Sequence, residues 1–249
     1  MSDAVFNAYS RYYDLLYRDK DYVAEAEYIA DLLERFGVSG KSLLEFGSGT
    51  GKHGQLLAQH GYEVTGIERS AEMVAQAEVA PGFSCQQGDI CTVQLGQTFD
   101  AVLSLFHVMS YQITNDAVLA VFERAAEHLQ ADGLFVFDVW YSPAVYAQNP
   151  DVRVKRIADD SIEITRIAEP VMYSKENRVN VNYTIFARDI SSGVVENMFE
   201  THPMRHFSLT ELNLIAQMSG FVIVGVEEFL TGKEPSQETW AVCLVMKKI

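Results

Sequence analysis

The chain predicts an α/β fold: a mainly parallel seven-stranded sheet with helices on both faces, plus a small antiparallel sheet inserted after the fifth strand. Three observations carry this. Apolar runs and helix-period segments alternate as βαβαβ from Ser42 to Tyr141, a pattern that demands right-handed crossovers and parallel strands. The first apolar run, Leu43-Leu44-Glu45-Phe46, ends in an acid and enters Gly47-Ser48-Gly49-Thr50-Gly51, with glycine at every second position. After Pro150 the sequence switches to period-2 alternation, as expected for antiparallel strands with one covered face.

Taken in order, the aromatic-rich stretch from Ala4 to Tyr17 and the stripe Val23, Ala26, Ile29, Ala30, Leu33 and Phe36 predict two helices ahead of the sheet. Gly37 and Gly40 end the second helix and lead into the first strand. Lys52 to Gln59 reads as a helix, because Leu56, Leu57 and His60 keep helical spacing. Val64 to Glu68 and Phe83 to Gln87 are the second and third strands, and Phe99 opens the fourth. Asn115 to Leu129 is a helix, and Gly133 to Trp140 is a fifth strand apolar enough to be buried on both faces. Ser161 to Ile167, Arg178 to Arg188 and Val194 to Arg205 alternate in polarity around a turn at Ser191-Ser192-Gly193. They predict three or four inserted strands. Ser208-Leu209-Thr210-Glu211 has the pattern of a capping box opening a helix to Ser219, and Phe221 to Phe229 and Thr239 to Met246 supply the last two strands. The expected organisation is residues 1–149 as N-terminal helices and ligand-binding core, 150–207 as the antiparallel insert, and 208–249 as the completion of the core sheet.

With 249 residues and 48% hydrophobic content, the chain suits one elaborated domain rather than two of ordinary size. A formal net charge of −15 disfavours nucleic-acid partners, whose affinity comes from clustered Lys and Arg. Cys85, Cys91 and Cys243 form no even-numbered disulfide framework and match no zinc spacing, so no metal is expected. No apolar run reaches the roughly 18 residues of a membrane span, and the N-terminus lacks a leader pattern. The expected setting is cytoplasmic, with a small-molecule partner, no membrane partner and a homodimer as a possible assembly.

Glycine permits positive φ and close backbone approach, so Gly47 to Gly51 can cradle a nucleotide-like ligand at the start of a helix. Gly49-Thr50-Gly51-Lys52-His53-Gly54 also satisfies the dinucleotide fingerprint, but its glycines begin two residues after the strand end, which Gly47 occupies. Glu68 ends the second strand 19 residues after Gly49, where ribose hydroxyls would need an acceptor. That position suits NAD or S-adenosylmethionine alike. Two further landmarks follow: Gly88-Asp89-Ile90 after the third strand, and Leu105-Phe106-His107-Val108-Met109-Ser110-Tyr111 after the fourth.

Together these four motifs resemble the class I S-adenosylmethionine-dependent methyltransferases, with their Rossmann-like fold. The resemblance implies Glu45, Gly47, Ser48 and Gly49 at the methionine end of the cofactor, Glu68 with Arg69 at the ribose, and Asp89 with Ile90 at the adenine. Leu105, Phe106 and His107 would face the methyl group, and Met73 joins the cofactor set. Tyr13-Asp14, Lys20-Asp21-Tyr22 and the Glu200-Thr201-His202 strand are most similar to the sugar-nucleotide amino-sugar N,N-dimethyltransferases, which implies Tyr13 and Tyr22 as cover for the cofactor. This sequence departs from that group in the loop holding His107 and Tyr111.

Transfer of a methyl group from a sulfonium needs alignment, exclusion of water and removal of one proton, with no protein nucleophile. His107 can take that proton or simply shape the pocket, and Tyr111 can orient the acceptor or cap the loop. Trp140 is a pocket wall or core. In Glu200 to His206 alternation places Glu200, His202 and His206 on one face and Arg205 on the other, so a solvated, partly paired polar face is expected. The function expected is methylation of an amine or hydroxyl of a sugar or similar metabolite. A non-catalytic cofactor-binding regulatory module and an NAD-binding oxidoreductase stay open beside it.

Overall fold

The computed structural model describes residues 12–249. The predicted aromatic segment lies largely outside them, and its described end forms α1 (Tyr13–Leu16). Next come α2 (Tyr22–Arg35), β1 (Ser42–Phe46), α3 (Lys52–Gln59), β2 (Glu63–Glu68), α4 (Ala71–Gln76), β3 (Phe83–Gln87) and β4 (Phe99–Ser104). A 3-10 turn, Val108–Tyr111, leads to α5 (Asn115–His128), β5 (Leu129–Tyr141) and α6 (Ser142–Gln148). Four long strands follow: β6 (Arg153–Ala158), β7 (Ile162–Tyr173), β8 (Arg178–Asp189) and β9 (Val195–Phe207). The chain closes with α7 (Leu209–Met218), β10 (Phe221–Glu228) and β11 (Ala241–Lys248). Among the described residues no helix is long and apolar enough to cross a membrane.

These elements divide into two compact units, one of Asp21–Gln148 with His206–Ile249 and a smaller one of residues 12–20 with Asn149–Arg205. In the larger unit, β1 pairs in parallel with β2 and β4, β3 lies beyond β2, and β5 lies beyond β4. Strand β11 runs antiparallel on the other edge of β5, with β10 outside it. Where β4 ends at Ser104, β5 continues and pairs instead with the last two residues of β9, Trp140 with His206 and Tyr141 with Phe207.

Each face of this sheet has its own core. Leu33 of α2 and Leu57 of α3 pack with Leu43, Leu103 and Val136 on one side. On the other, Phe122 of α5 and Leu212 of α7 pack with Leu44, Val102 and Phe135. So β1 hands its chain to a helix on one face and its neighbour β4 hands its chain to a helix on the opposite face. A crevice opens at the carboxyl ends of two strands that diverge in this way, and ligands of such sheets bind there.

Local chemistry explains the helix starts. Asp21 accepts a hydrogen bond from Ala24 N at 3.0 Å and opens α2, while Ser208 accepts from Glu211 N at 3.2 Å and opens α7. In the smaller unit, β6, β7, β8 and β9 form an antiparallel meander. Its core joins Tyr12 and Leu16 to Ile164, Ile185 and Ala187. The Asp189 carboxylate accepts from Ser192 N at 2.7 Å, and Gly193 takes φ 71°, which sets the turn between β8 and β9. Strand β6 and helix α6 carry weak sequence signals. In β6, Val154 and Ile157 are separated by Lys155 and Arg156, so no clean alternation marks it.

Candidate active site

The acid that ends β1 and the glycines after it form one tightly tied turn. Gly47 N and Ser48 N both donate to Ile67 O, at 2.8 and 3.2 Å, which holds the turn against β2. Gly47 has φ 72°, and a Cβ there would lie 2.6 Å from both Cγ atoms of Val108. Glycine is required twice over at this position. Glu68, at the end of β2, closes the turn from the other side: Oε2 accepts from Gly49 N at 3.0 Å and Oε1 from Ser70 N at 2.8 Å. A carboxylate has about four lone-pair sites, so Glu68 keeps acceptor capacity for a ligand's hydroxyls. Met73 of α4 is buried, with its sulfur 4.0 Å from where a Cβ on Gly49 would stand. Ser48 Oγ lies 3.3 Å from Cys85 Sγ on β3.

Glu45 is 1% exposed, and its Oε2 has no hydrogen-bond partner among the described residues. Burial, and next the negative charge of Glu68, push its carboxyl up to about 8, opposed in part by the Gly54 amide. Glu68 is itself raised by burial, against the pull of the Ser70 and Gly49 amides. Behind Glu45 lies a residue that the sequence reading did not single out. His53, in the first turn of α3, sets Nε2 2.7 Å from Oε2 of Glu25 and Nδ1 3.8 Å from Oε1 of Glu45. The Tyr22 ring meets the His53 imidazole edge-on at 5.0 Å.

Past β4 the backbone is strained. Phe106 and His107 both take left-handed φ values, 61° and 62°, which cost a non-glycine residue on the order of 1 kcal/mol each and persist only where surroundings enforce them. Asp138 of β5 enforces them here. Its two oxygens accept from His107 N at 3.2 and 3.1 Å, and Oδ2 also makes an ion-pair contact with His107 Nδ1 that is too poorly aligned for a hydrogen bond. Asp138 is 1% exposed, whereas the His107 side chain keeps 20% of its surface open. Nδ1 is thus the ring nitrogen that lies against the buried carboxylate. The His107 ring centroid lies 6.2 Å from that of Trp140, which in turn lies 5.5 Å from Trp240, and Trp140 N donates to Ser110 Oγ at 3.2 Å. The sequence did hold a signal for Asp138, an acid within the otherwise apolar Leu134-Phe135-Val136-Phe137-Asp138-Val139.

Of the other predicted residues, Asp89 accepts from Cys91 N at 2.8 Å and so shapes its own turn, and Ile90 is buried in the α5 face. Leu105 is buried in the α2 face beside Leu103, and Tyr111 ends the 3-10 turn half-buried. Arg69 is half-buried and accepts from Gln87 Nε2 through its carbonyl at 3.1 Å. Tyr13 belongs to the smaller unit, its ring 4.8 Å from that of Tyr17. The polar stretch of β9 departs from expectation. Glu200, His202, Arg205 and His206 are all buried rather than solvated. The reason is local pairing: His202 Nε2 meets Glu200 Oε2 at 3.0 Å with Tyr183 edge-on to the imidazole, while His206 Nδ1 meets Ser142 Oγ at 2.8 Å.

The residues gathered at the glycine turn fit S-adenosylmethionine. A buried carboxyl with an unused oxygen suits a cationic methionine end, a Cβ-free turn suits close backbone approach, and Glu68 suits a ribose. Comparison with known proteins agrees. A methyltransferase-domain family model matches residues 43–133. The chain is 31% identical over 228 residues to the dTDP-3-amino-3,4,6-trideoxy-alpha-D-glucopyranose N,N-dimethyltransferase of Streptomyces venezuelae, covering 88% of this chain and 91% of that one. It is 30% identical over 180 residues to the dTDP-3-amino-3,6-dideoxy-alpha-D-glucopyranose N,N-dimethyltransferase of Streptomyces fradiae, covering 71% and 70%. Among solved structures, Streptomyces venezuelae DesVI superposes with a TM-score of 0.79 at 26% identity over 94% of this chain and 97% of that one. The chain belongs to the class I S-adenosylmethionine-dependent methyltransferases, beside the sugar-nucleotide amino-sugar N,N-dimethyltransferases.

Proposed function

We propose that this methyltransferase acts on the amine of an amino-deoxy sugar carried on a nucleoside diphosphate, with His107 as the group that takes the acceptor's proton. The observation that carries the reading is the contact of His107 Nδ1 with buried Asp138 at the carboxyl ends of β4 and β5, next to the glycine turn. Asp138 pins the backbone of His107 and lies against Nδ1, which leaves Nε2 as the ring nitrogen offered to the acceptor's proton. Bound S-adenosylmethionine supplies an electrophilic methyl group. Everything else falls to the chain. Glu45, Gly47, Ser48 and Gly49 hold the methionine end, Glu68 and Arg69 the ribose, and Asp89 and Ile90 the adenine. Met73, Leu105 and Phe106 close apolar surface around the site, Tyr22 adds a covering ring, and Tyr111 orients the acceptor.

An amine is favoured over a hydroxyl for two reasons. The two relatives above are named for amino-sugar substrates, and an ammonium brought to neutral pH needs only a base of imidazole strength, whereas a sugar hydroxyl needs a stronger one. The net charge of −15 argues against a nucleic-acid partner; a small-molecule acceptor, a cytoplasmic setting without a membrane partner, and a homodimer to be weighed by sedimentation complete the proposal. The test is incubation with S-adenosylmethionine and a panel of dTDP-linked amino- and hydroxy-sugars, following S-adenosylhomocysteine. Product with amino-sugars alone supports the proposal. Turnover with the hydroxy-sugars alone, or none with either, defeats it.

A further inference from the structure

The larger unit buries another imidazole, at the end of α5. His128 is 3% exposed and meets the rings of Phe46 and Phe99 at 6.4 and 6.5 Å between centroids. Phe46 is the residue just before the glycine turn. Backbone groups engage both ring nitrogens: Nδ1 lies 2.7 Å from Arg124 O, and Nε2 lies 3.0 Å from Leu95 N. A carbonyl can only accept and an amide N–H can only donate, so Nδ1 carries the proton and Nε2 is the acceptor. The partners fix the tautomer, and the ring is neutral. Leu95 belongs to the segment between β3 and β4, which opens with Asp89 and Ile90. There Cys91 N donates to the Asp89 carboxylate at 2.8 Å, and Thr92 N and Val93 N donate to Asp89 O at 3.0 and 2.8 Å. Val93 and Leu95 pack against the core on the α5 face. His128 therefore ties one helix to the stretch that carries the proposed adenine contacts.

We propose that His128 is a positioning residue for cofactor binding: while neutral it latches Leu95 to α5 and keeps the Asp89 turn ready for adenine, and when protonated it lets the segment go. A proton on Nε2 would point at the Leu95 N–H and set two donors against each other. Among the described residues neither ring nitrogen meets a carboxylate that would compensate the new charge. Arg124 and Glu127 of the same helix pair with each other at 2.7 Å, and Asp100 of β4 is held by Ser42 N and Oγ at 2.9 and 2.6 Å. Within the segment, Asp89 accepts from Cys91 N and the Cys91 thiol faces Gln112 Oε1 at 3.5 Å. A helix C-terminus ordinarily favours a cation, but Lys248 of β11 already donates to Ala126 O and Leu129 O, both at 2.7 Å. Protons reach the ring from an open depression of about 390 Å³ lined by Gln94, Gly96, Gln97, Thr98 and Glu127. Once released, the segment populates its ligand-ready arrangement only in part, and affinity falls by that fraction. The inference rests on the reading that Asp89 and Ile90 hold the adenine.

Calorimetric titration of the full chain with S-adenosylhomocysteine and with S-inosylhomocysteine, in which oxygen replaces adenine's amino group, tests this at about pH 7.5 and about pH 5.5, on either side of the imidazole range. His128→Phe keeps a buried ring but offers Leu95 N no acceptor. It is expected to bind S-adenosylhomocysteine about tenfold more weakly at the higher pH, the weight of one hydrogen bond, and to lose most of its preference for the adenosyl compound. His128→Gln offers an amide oxygen that does not titrate, so it should keep wild-type affinity within about threefold at the higher pH. On acidification the wild-type Kd should rise about tenfold more than that of His128→Gln. Ionisation of Glu45 enters both chains alike and drops out of this comparison. A histidine that only supports the fold would lower Tm in these variants while leaving Kd and its pH dependence unchanged, and that result overturns the proposal. Should His128→Phe lose its native near-ultraviolet dichroism, His128→Gln decides alone, and a Kd that rises with acid as steeply as wild type overturns it. The two layers separate in the choice between the analogues. Equal wild-type affinity for both removes Asp89 from the adenine and the latch with it, whereas a wild-type preference that His128→Phe retains in full overturns the latch alone.

Discussion

Glu45 shows how a residue proposed for the cofactor site can work against the fold that carries it. Its carboxyl is raised from an ordinary value near 4.5 to about 8, so the folded chain binds this proton more tightly than the unfolded one. The associated stability is fully present below pH 4.5 and is lost as pH rises through about 8. Glu45→Gln, which cannot ionise, is expected to stabilise the cofactor-free protein at pH 8 relative to wild type by on the order of a few kcal/mol, with little effect at pH 4.5. Denaturant titration at the two pH values measures this. A stabilisation equal at both would remove the ionisation argument. At His107 the expectation is kinetic. His107→Ala should lower turnover by about 10² to 10⁴ while leaving the cofactor Kd within about threefold, and Asp138→Asn should also lower it, by weakening the hold on the His107 backbone that keeps the ring in place. Single-turnover assays with separate cofactor titrations divide chemistry from binding, and unchanged turnover in His107→Ala leaves that ring a pocket wall. The sequence marked His107 by its place after the fourth strand. Asp138 escaped notice because only the pairing of β4 with β5 brings it under that loop.

Elements explain why these side chains stay where they are. The turn after β1 is closed by Ile67 O and Glu68, and Val108 fills the space a side chain at Gly47 would need. Gly47→Ala should therefore cost roughly 1–3 kcal/mol and weaken cofactor binding at least tenfold. Thermal melts with and without S-adenosylhomocysteine show both effects, and a variant that melts and binds like wild type contradicts the geometry. Helix α2 is tied to β10 by a different device. Tyr28 Oη and the Arg35 guanidinium both donate to the Glu227 carboxylate, at 2.8 and 2.7 Å. The paired Arg35 charge holds Glu227 below the usual carboxylate range despite burial. Tyr28→Phe should cost about 1 kcal/mol, or about 2–4 °C in Tm for a chain of this size, with turnover per folded molecule unchanged. Altered turnover would link α2 packing to the site. The sequence showed the apolar stripe of α2, but not this anchor, since its partners are 192 and 199 residues apart.

Across the whole molecule, cofactor binding should act on the larger unit, where the glycine turn, Glu68, Asp89 and the His107 loop all lie. At about 100-fold excess over Kd, ligand should add about 2.7 kcal/mol of stability. Hydrogen exchange is expected to slow at residues 47–51, 68–73 and 105–111, and protection confined to residues 149–205 would place the cofactor elsewhere. Much of this was legible beforehand, because parallel strands and their helices are encoded by local periodicity. Lys52–Gln59 and Phe83–Gln87 match their predicted limits, and the glycine turn follows from where positive φ is needed. The fate of Glu200, His202 and His206 was not legible: strand alternation gives the side a residue faces, not whether that side meets water or a pairing partner. By itself the sequence determined the order of the elements, the cradle after the first strand and the class of ligand it accepts, all of which depend on neighbours within a few residues. Only the tertiary structure decided that Glu25 and His53 stand behind Glu45 and that Asp138 grips the backbone of His107, because charge and backbone conformation are set through space by groups that chain distance does not bring together.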